Sequence, residues 1–282
     1  MSSLVRNFFK KLREDDVLGR AAHLSFFFVL ALFPLLLVVV TLIGYFQTSR
    51  QLIQQYLLTY LARIAPQDAH DIVERAIGED ALRGSGGLLS VGLFLALWLA
   101  SSGVAAIQEG LNVAYGARET RSWWHARIVA ILLTVALAVS TVAAFAVLVG
   151  GDVFGERAAE QFGWAAPVLT GWRFLRWPLL MGFVLLGVLL IFRFASNRYA
   201  HEWTAILPGA FLAVGLCVAA SLLLRLYFKL FGELSGVYGS LTAPVVLLTW
   251  LYAVGAALLV GAEFNVVMER RRSHRPEEGQ TR

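Results

Sequence analysis

The sequence predicts an all-α integral membrane protein with six transmembrane helices, an N-terminal interfacial helix and a periplasmic two-helix segment. Of its 282 residues, 58% are hydrophobic and 15% are charged, whereas soluble chains carry roughly 45–50% apolar and about 25% charged residues. Six apolar runs of 17 to 26 residues are close to the roughly 17–25 residues of one membrane crossing, and the fourth run is the shortest. Six of the eight tryptophans flank these runs, where indole rings favour the membrane interface.

Residues 1–20 are polar but patterned as an amphipathic helix. Apolar side chains recur on one helical face, and four cations share the other: Arg6, Lys10, Lys11 and Arg13. This pattern is typical of a basic helix that lies in the membrane surface. A solvated N-terminal arm is the alternative.

A membrane domain is predicted over residues 21–267. Its spans are expected at 21–46, 88–107, 128–150, 178–194, 204–224 and 241–260. Pro178 fits the first turn of the fourth span, because proline is tolerated at a helix start. Between the first two spans, residues 51–82 show the periodicity of two amphipathic helices. A basic tail follows over 268–282.

Lysine and arginine counts set the predicted orientation. With the N-terminus inside, the inner segments carry 15 of these residues and the outer segments carry 9. Cytoplasmic loops of membrane proteins carry the excess of positive charge. Both termini are therefore predicted to be cytoplasmic.

Small residues recur at four-residue spacing within the spans. The sets are Gly92/Ala96/Ala100, Gly209/Ala213 and Ala257/Gly261. Such spacing lets helices approach closely. We expect helix packing from it, and a homo-oligomer is compatible with these faces.

Charged residues avoid the span centres, and enzyme motifs are absent from the sequence. A proton relay through midplane carboxylates is disfavoured, because such groups are costly in a bilayer and usually functional. There is no zinc-protease motif, no P-loop and no nucleophile elbow, and Cys217 is the single cysteine. We expect no catalysis, no cofactor, no bound metal and no nucleic-acid partner.

Polar clusters at the span ends supply the candidate site residues. They could line a substrate path, or they could only cap helices and anchor them at the interface. The residues selected are Glu109, Asn112, Tyr115, Arg193, Arg198, Arg225, Tyr238, Ser240, Glu263 and Asn265.

Several of these clusters resemble the YihY/BrkB family of bacterial inner-membrane proteins, once labelled as a ribonuclease. The resemblance covers about residues 10 to 268 and is most specific from Tyr238 to Asn265, including Tyr238-Gly239-Ser240-Leu241 and Gly261-Ala262-Glu263-Phe264-Asn265. It implies a six-helix inner-membrane protein associated with envelope integrity and suspected of lipid or lipopolysaccharide-precursor transport.

The functional expectation combines this resemblance with the charge pattern. An amphiphile needs apolar walls for its chains and polar groups at both interfaces for its headgroup. We therefore expect transport of an anionic amphiphile, with membrane lipids as partners. Two alternatives remain: a non-catalytic envelope scaffold whose segment 51–82 binds a partner, and a hydrolase or nuclease.

Overall fold

The structure, a computed structural model, describes residues 2–45, 86–162, 165–197, 202–231 and 242–273. Within these ranges the chain forms helices joined by turns and loops, and it contains no strand. The helices are α1 (Ser2–Glu14), α2 (Val17–Tyr45), α3 (Gly86–Ala114), α4 (Trp123–Phe162), α5 (Ala165–Phe194), α6 (Trp203–Phe231) and α7 (Thr242–Ser273). The all-α prediction is confirmed for this part of the chain.

Four of the helices are long and apolar enough to cross a membrane. The apolar segments are Trp123–Ala144, Phe174–Phe194, Trp203–Tyr227 and Pro244–Arg271, and α2 is apolar over Val17–Ala31. Helices α2 and α3 each contain 29 residues, which corresponds to about 44 Å at a rise of about 1.5 Å per residue. Four candidate spans are thus present among the described residues, and six spans remain a prediction.

Helices α4 and α5 extend well beyond the apolar runs that predicted them. Helix α4 continues to Phe162, and α5 begins at Ala165. The placement of Pro178 in a first turn is therefore wrong, because this proline lies inside α5. Membrane helices tolerate an internal proline when neighbouring groups satisfy the freed backbone.

The N-terminal region forms a shorter helix than residues 1–20. Helix α1 ends at Glu14, and α2 begins at Val17. Between them Asp16 adopts a φ of 46°, a left-handed conformation that short polar side chains tolerate. At the other end of the chain, residues 268–273 of the predicted tail belong to α7. Residues 274–282 and the predicted helices at 51–82 lie outside the described residues.

The chain divides into two compact units. The first comprises residues 1–17, 107–217 and 257–282, and the second comprises 18–106 and 218–256. In the second unit Gly255 lies close to the Ala21 backbone and to Leu24, both of which are buried. The absence of a side chain at Gly255 lets α7 approach α2 there.

In the first unit α6 and α7 approach each other at glycine. A Cβ atom at Gly261 would lie 2.5 Å from the Gly209 carbonyl oxygen and 2.8 Å from the Ala213 Cβ atom. Real side chains do not fit at such distances, so the glycines permit this crossing. Close helix packing at Gly209/Ala213 and at Gly261, expected from their spacing, is confirmed, whereas the contact of one set with the other was not predicted. The surroundings of Gly92 and Ala96 are outside the described part of the structure.

Candidate functional site

The first unit contains a buried carboxylate at Glu263 on α7. Its side chain is 0% exposed, and its Oε2 lies 2.6 Å from the Lys11 ammonium nitrogen. Neither carboxylate oxygen accepts a hydrogen bond of regular geometry from the described residues. Glu263 therefore depends on an ion pair rather than on a set of hydrogen bonds.

Lys11 brings α1 to this carboxylate. Its ammonium group also pairs with Asp15 and donates a 2.9 Å hydrogen bond to the Ala114 carbonyl oxygen at the end of α3. Next to this contact the Phe8 and Phe264 rings meet edge to face at 6.1 Å. Lys11 belongs to the predicted cationic face of α1, yet only 14% of its side chain is exposed. Lys10, on the same face, is 71% exposed.

Asn265 occupies the same helix two residues later and is fully engaged. Its Oδ1 accepts a 2.7 Å bond from the Gly209 N–H, and its Nδ2 donates to the Ile206 carbonyl oxygen at 3.2 Å. Nδ2 also lies 3.3 Å from the Tyr115 hydroxyl oxygen. Pro208 lacks an N–H and so interrupts the hydrogen-bond ladder of α6 at this point. Asn265 thus joins α7 to the disturbed turn of α6 and to the residue after α3.

Asn112 connects two loops that are distant in sequence. Its Oδ1 accepts a 2.7 Å bond from the Asn197 N–H, and its Nδ2 donates to Glu119 at 2.7 Å. The Asn197 side chain donates to the Arg118 carbonyl oxygen at 2.7 Å and to the Thr120 hydroxyl at 2.9 Å. The loop after α3 and the turn after α5 are therefore held together.

Glu119 and Arg121 complete this loop connection. Arg121 donates to both Glu119 oxygens at 2.8 Å and to the Ala195 carbonyl oxygen at 3.0 Å. These bonds from Arg121, with smaller contributions from its backbone N–H and from Asn112, lower the pKa of Glu119 from 4.5 to about 2, although partial burial opposes the change. Glu119 is therefore ionised at neutral pH.

A glycine at the end of α3 directs the chain into this loop. Gly116 has a φ of 62°, its N–H bonds to the Val113 carbonyl oxygen at 2.9 Å, and the Ala117 N–H bonds to the Asn112 carbonyl oxygen at 2.7 Å. This is the Schellman arrangement, which favours glycine because its central residue is left-handed. The turn leaves the Asn112 side chain facing Glu119.

Two arginines mark the ends of the apolar segment of α5. Arg193 lies 5.5 Å from the centre of the Trp203 ring, and Arg176 lies 5.7 Å from that of Trp177. Guanidinium groups are attracted to the faces of aromatic rings. Arg193 was selected from the sequence, whereas Arg176 was not.

The other five selected residues are either exposed or outside the described part of the chain. Glu109 on α3 and Arg225 on α6 are exposed. Arg198, Tyr238 and Ser240 lie outside the described residues. Sequence reasoning missed Lys11, Asp15, Glu119 and Asn197 as partners. None of these partners had a local signal, because Lys11 contacts Glu263 and Asn197 contacts Asn112 across long sequence separations.

The apolar helices and the buried polar contacts between them define a class, the multi-pass helical membrane proteins. The chain belongs to the family described as "Virulence factor BrkB", whose model matches residues 8–282. The resemblance to the YihY/BrkB family is thereby confirmed.

Curated relatives agree with this assignment. A Bacillus subtilis protein, YfkH, described as ribonuclease-like, is 30% identical over 96% of both chains. A "UPF0761 membrane protein" of Tolumonas auensis is 27% identical over 93% of this chain and 83% of its own. A protein of the same description from Alkalilimnicola ehrlichii is 27% identical over 90% of this chain and 56% of its own. No solved structure matches this chain.

Proposed function

We propose that this protein moves, or holds for movement, an anionic amphiphile such as a phospholipid or a lipid-linked envelope precursor. The observation that carries the proposal is the surface of α5. Exposed apolar side chains occur along this helix between two guanidinium groups, those of Arg176 and Arg193, which lie near the ends of its apolar segment. An amphiphile requires this arrangement, with apolar contact for its chains and positive charge for its headgroup at either interface.

The length of this apolar surface supports the proposal. Arg176 and Arg193 are 17 residues apart, or about 26 Å along a helix, close to a hydrocarbon thickness of about 30 Å. Between them Met181 is 43% exposed, Val184 is 47% exposed and Leu186 is 43% exposed. The acyl chains of a lipid can contact these side chains while its headgroup exchanges between the two ends.

The arginines suit a phosphate group in particular. A guanidinium presents a fork of N–H donors that matches phosphate oxygens, and such charge-assisted bonds are among the stronger hydrogen bonds in proteins. Stacking on Trp177 and Trp203 restricts the two guanidinium groups near the interface. The competing explanation is that these residues only anchor α5 in the membrane.

The proposal includes a topology and a location. We place the protein in the bacterial inner membrane, with six spans and with both termini in the cytoplasm. We propose that it contributes to envelope integrity. The excess of positive charge on the predicted inner segments supports this orientation. Helix α1 pairs with α7 through Lys11 and Glu263, and Tyr115 after α3 contacts Asn265 of α7. The loop after α3 also bonds to the turn after α5. These contacts support a location of all three segments on the same side of the membrane. Periplasmic activity from a reporter fused at residue 282 would contradict the proposed orientation.

We also propose that the protein acts without catalysis, although one relative is described as ribonuclease-like. The described residues contain no group of three or more His, Cys, Asp or Glu side chains able to hold a metal ion. RNA degradation by purified protein, lost in a single carboxylate variant, would overturn this part of the proposal.

Reconstitution in liposomes with labelled anionic lipid tests the central proposal. Wild-type protein should speed transbilayer movement relative to empty vesicles. Arg176→Ala and Arg193→Ala should each slow it roughly tenfold, because a hydrogen bond to a charged group contributes about 1.5–3 kcal/mol. Arg271→Ala is the matched control, since Arg271 is an exposed cation on α7, and it should leave the rate unchanged.

Two outcomes would contradict the proposal. If wild-type protein and empty vesicles give equal rates for several anionic lipids, the scaffold alternative replaces transport. If all three arginine variants slow movement equally, general surface charge rather than the ends of α5 is responsible.

A further inference from the structure

The two arginines near the ends of the apolar segment of α5 are held in different ways. Arg176 stacks on Trp177, its neighbour on the same helix, with 5.7 Å between the guanidinium carbon and the ring centre. Arg193 stacks at 5.5 Å on Trp203, which is the first residue of α6. The position of the Arg193 guanidinium therefore depends on where the first turn of another helix lies.

The first turn of α6, residues 203–207, begins with bonds to Glu202. The Ala205 N–H donates to the Glu202 carbonyl oxygen at 2.9 Å. The Thr204 hydroxyl donates to the Glu202 carboxylate at 3.3 Å. Trp203 lies within this bonded turn, so its backbone position follows that of the turn.

The connection of this turn to the rest of α6 is weakened at Pro208. Proline lacks the N–H that would bond to the Thr204 carbonyl oxygen, so one ladder bond of the helix is missing. The next N–H, that of Gly209, donates to Asn265 Oδ1 at 2.7 Å, and the Ile206 carbonyl oxygen accepts a 3.2 Å bond from Asn265 Nδ2. Asn265 of α7 thus bonds to the α6 backbone on both sides of the proline.

Asn265 is itself fixed within the first unit. It is buried, and its Nδ2 lies 3.3 Å from the hydroxyl oxygen of Tyr115, which is also buried. The backbones of α6 and α7 touch beside it, since a Cβ atom at Gly209 would lie 2.1 Å from the Gly261 carbonyl oxygen. A buried side chain that is bonded to two other segments can hold the first turn of α6 in one place.

We propose that Asn265 is a positioning residue for Arg193. Asn265 bridges Pro208 and so holds the first turn of α6, and Trp203 on that turn keeps the guanidinium where it can bind a phosphate-bearing headgroup. The headgroup contact rests on the proposed function, whereas the chain of contacts from Asn265 to Arg193 does not. The Arg193 end of α5 is thus prearranged by other helices, and the Arg176 end is arranged by α5 itself.

Fluorine NMR of the full chain labelled with fluorotryptophan tests this chain of contacts without any movement of lipid. Each tryptophan signal is assigned by its loss on substitution with phenylalanine. In the wild-type background, Arg193→Gln should shift the Trp203 signal, because it removes a cation from the face of the ring. In the Asn265→Ala background the same substitution should give a shift several-fold smaller, because the turn no longer holds the ring against the guanidinium.

Trp177 provides a matched control in the same spectra. Arg176→Gln should shift the Trp177 signal equally in the wild-type and Asn265→Ala backgrounds, since this pair lies on one helix. Equal shifts of the Trp203 signal on Arg193→Gln in both backgrounds would overturn the proposal.

Pro208→Ala separates positioning from a general loss of stability. The alanine N–H restores the missing ladder bond, so α6 itself should hold its first turn. Asn265→Ala combined with Pro208→Ala should therefore recover most of the response of the Trp203 signal to Arg193→Gln. This combination can be measured even if Asn265→Ala alone does not fold. A combined variant that folds without the response would contradict the proposal, because Asn265 would then not act through the first turn of α6.

Lipid movement in liposomes distinguishes this proposal from the function on which its headgroup contact rests. Asn265→Ala should slow movement of anionic lipid several-fold by itself and no further when added to Arg193→Ala. If the protein moves no lipid but the Trp203 response depends on Asn265, the proposed function is wrong and the positioning role stands. If lipid moves and Asn265→Ala slows it equally with and without Arg193, the positioning role is wrong.

Discussion

Glu263 and Asn265 lie two residues apart on α7, and both are buried in the first unit, yet they are stabilised in different ways. The amide of Asn265 bonds to α6 through both its oxygen and its nitrogen. The carboxylate of Glu263 has an ion-pair partner on α1 and no regular hydrogen bond from the described residues. The first group is satisfied by neighbouring transmembrane helices, and the second depends on an amphipathic helix at the chain terminus.

The difference follows from the chemistry of the two side chains. An amide supplies two donors and an acceptor without charge, so it can complement both an N–H and a carbonyl group of a neighbouring backbone. A carboxylate supplies only acceptors and a charge, which must be neutralised when it is buried. Asn265 can therefore act as a permanent link between helices, whereas Glu263 depends on the ammonium group that α1 supplies.

Removal of Lys11 should give the largest effect. Lys11→Met keeps much of the apolar stem but leaves the carboxylates without their ammonium partner. Breaking a buried ion pair by removing one partner costs about 3–5 kcal/mol, so we expect a loss of about 3 kcal/mol in the free energy of unfolding. Denaturation of the purified protein in mixed micelles measures it.

Lys10→Met is the matched control for this prediction. Lys10 is the adjacent residue, and its pair with Glu14 is mostly exposed. Exposed ion pairs contribute about 0–1 kcal/mol. Equal losses for the two variants would show that the charge of α1, rather than its contact with Glu263, determines stability.

Replacement of Asn265 should have a smaller effect. Asn265→Leu removes the partners of the Gly209 N–H and the Ile206 carbonyl oxygen, and polar contacts of this kind contribute about 1–2 kcal/mol in membrane proteins. We expect a loss of about 2 kcal/mol in the free energy of unfolding. Thr249→Val, at an exposed position of the same helix, should change it little. A neutral result for Asn265→Leu would mean that the glycine contact alone holds α6 against α7.

Much of the architecture could be predicted because it depends on local composition. Long apolar runs specify helices, and the spacing of Gly209/Ala213 and of Ala257/Gly261 indicated close helix packing, which the structure contains at Gly209 and Gly261. The extent of α4 and α5 could not be obtained in this way. Residues 151–162 and 165–177 are less apolar than the span centres. Hydropathy therefore ended the third predicted span too early, at residue 150, and began the fourth too late, at residue 178. Pro178 then became an apparent helix start.

The polar site was harder to predict, because its contacts join residues far apart in sequence. A helical wheel assigns Lys11 and Lys10 to the same polar face, and only the position of Glu263 decides which cation is buried. Asn112 and Asn197 were both in polar segments, but nothing local indicated that one would bond to the other. Glu263 and Asn265 were selected from the sequence, whereas their different roles depend on partners that the sequence did not identify.

Glu119 provides a third case and the smallest predicted effect. Its carboxylate is charged like that of Glu263, is hydrogen-bonded like Asn265, and remains 36% exposed. Bonds from Arg121 lower its pKa from 4.5 to about 2. The unfolded chain therefore binds a proton at this residue at higher pH than the folded chain does, and protonation favours unfolding. The contribution of Glu119 to stability should be complete above about pH 4.5 and should disappear progressively as the pH falls to about 2.

Glu119→Gln isolates this contribution from those of the other carboxylates. The difference in the free energy of unfolding between wild type and Glu119→Gln should be constant from pH 7 to pH 5 and should shrink between pH 4.5 and pH 2. Its size should be modest, because solvent screens a partly exposed pair. Arg121→Gln should move the titration of Glu119 towards its ordinary range and flatten the same difference. If the difference is unchanged down to pH 2, the bonds from Arg121 and Asn112 do not favour the ionised form, and the link between the loop after α3 and the turn after α5 has another source.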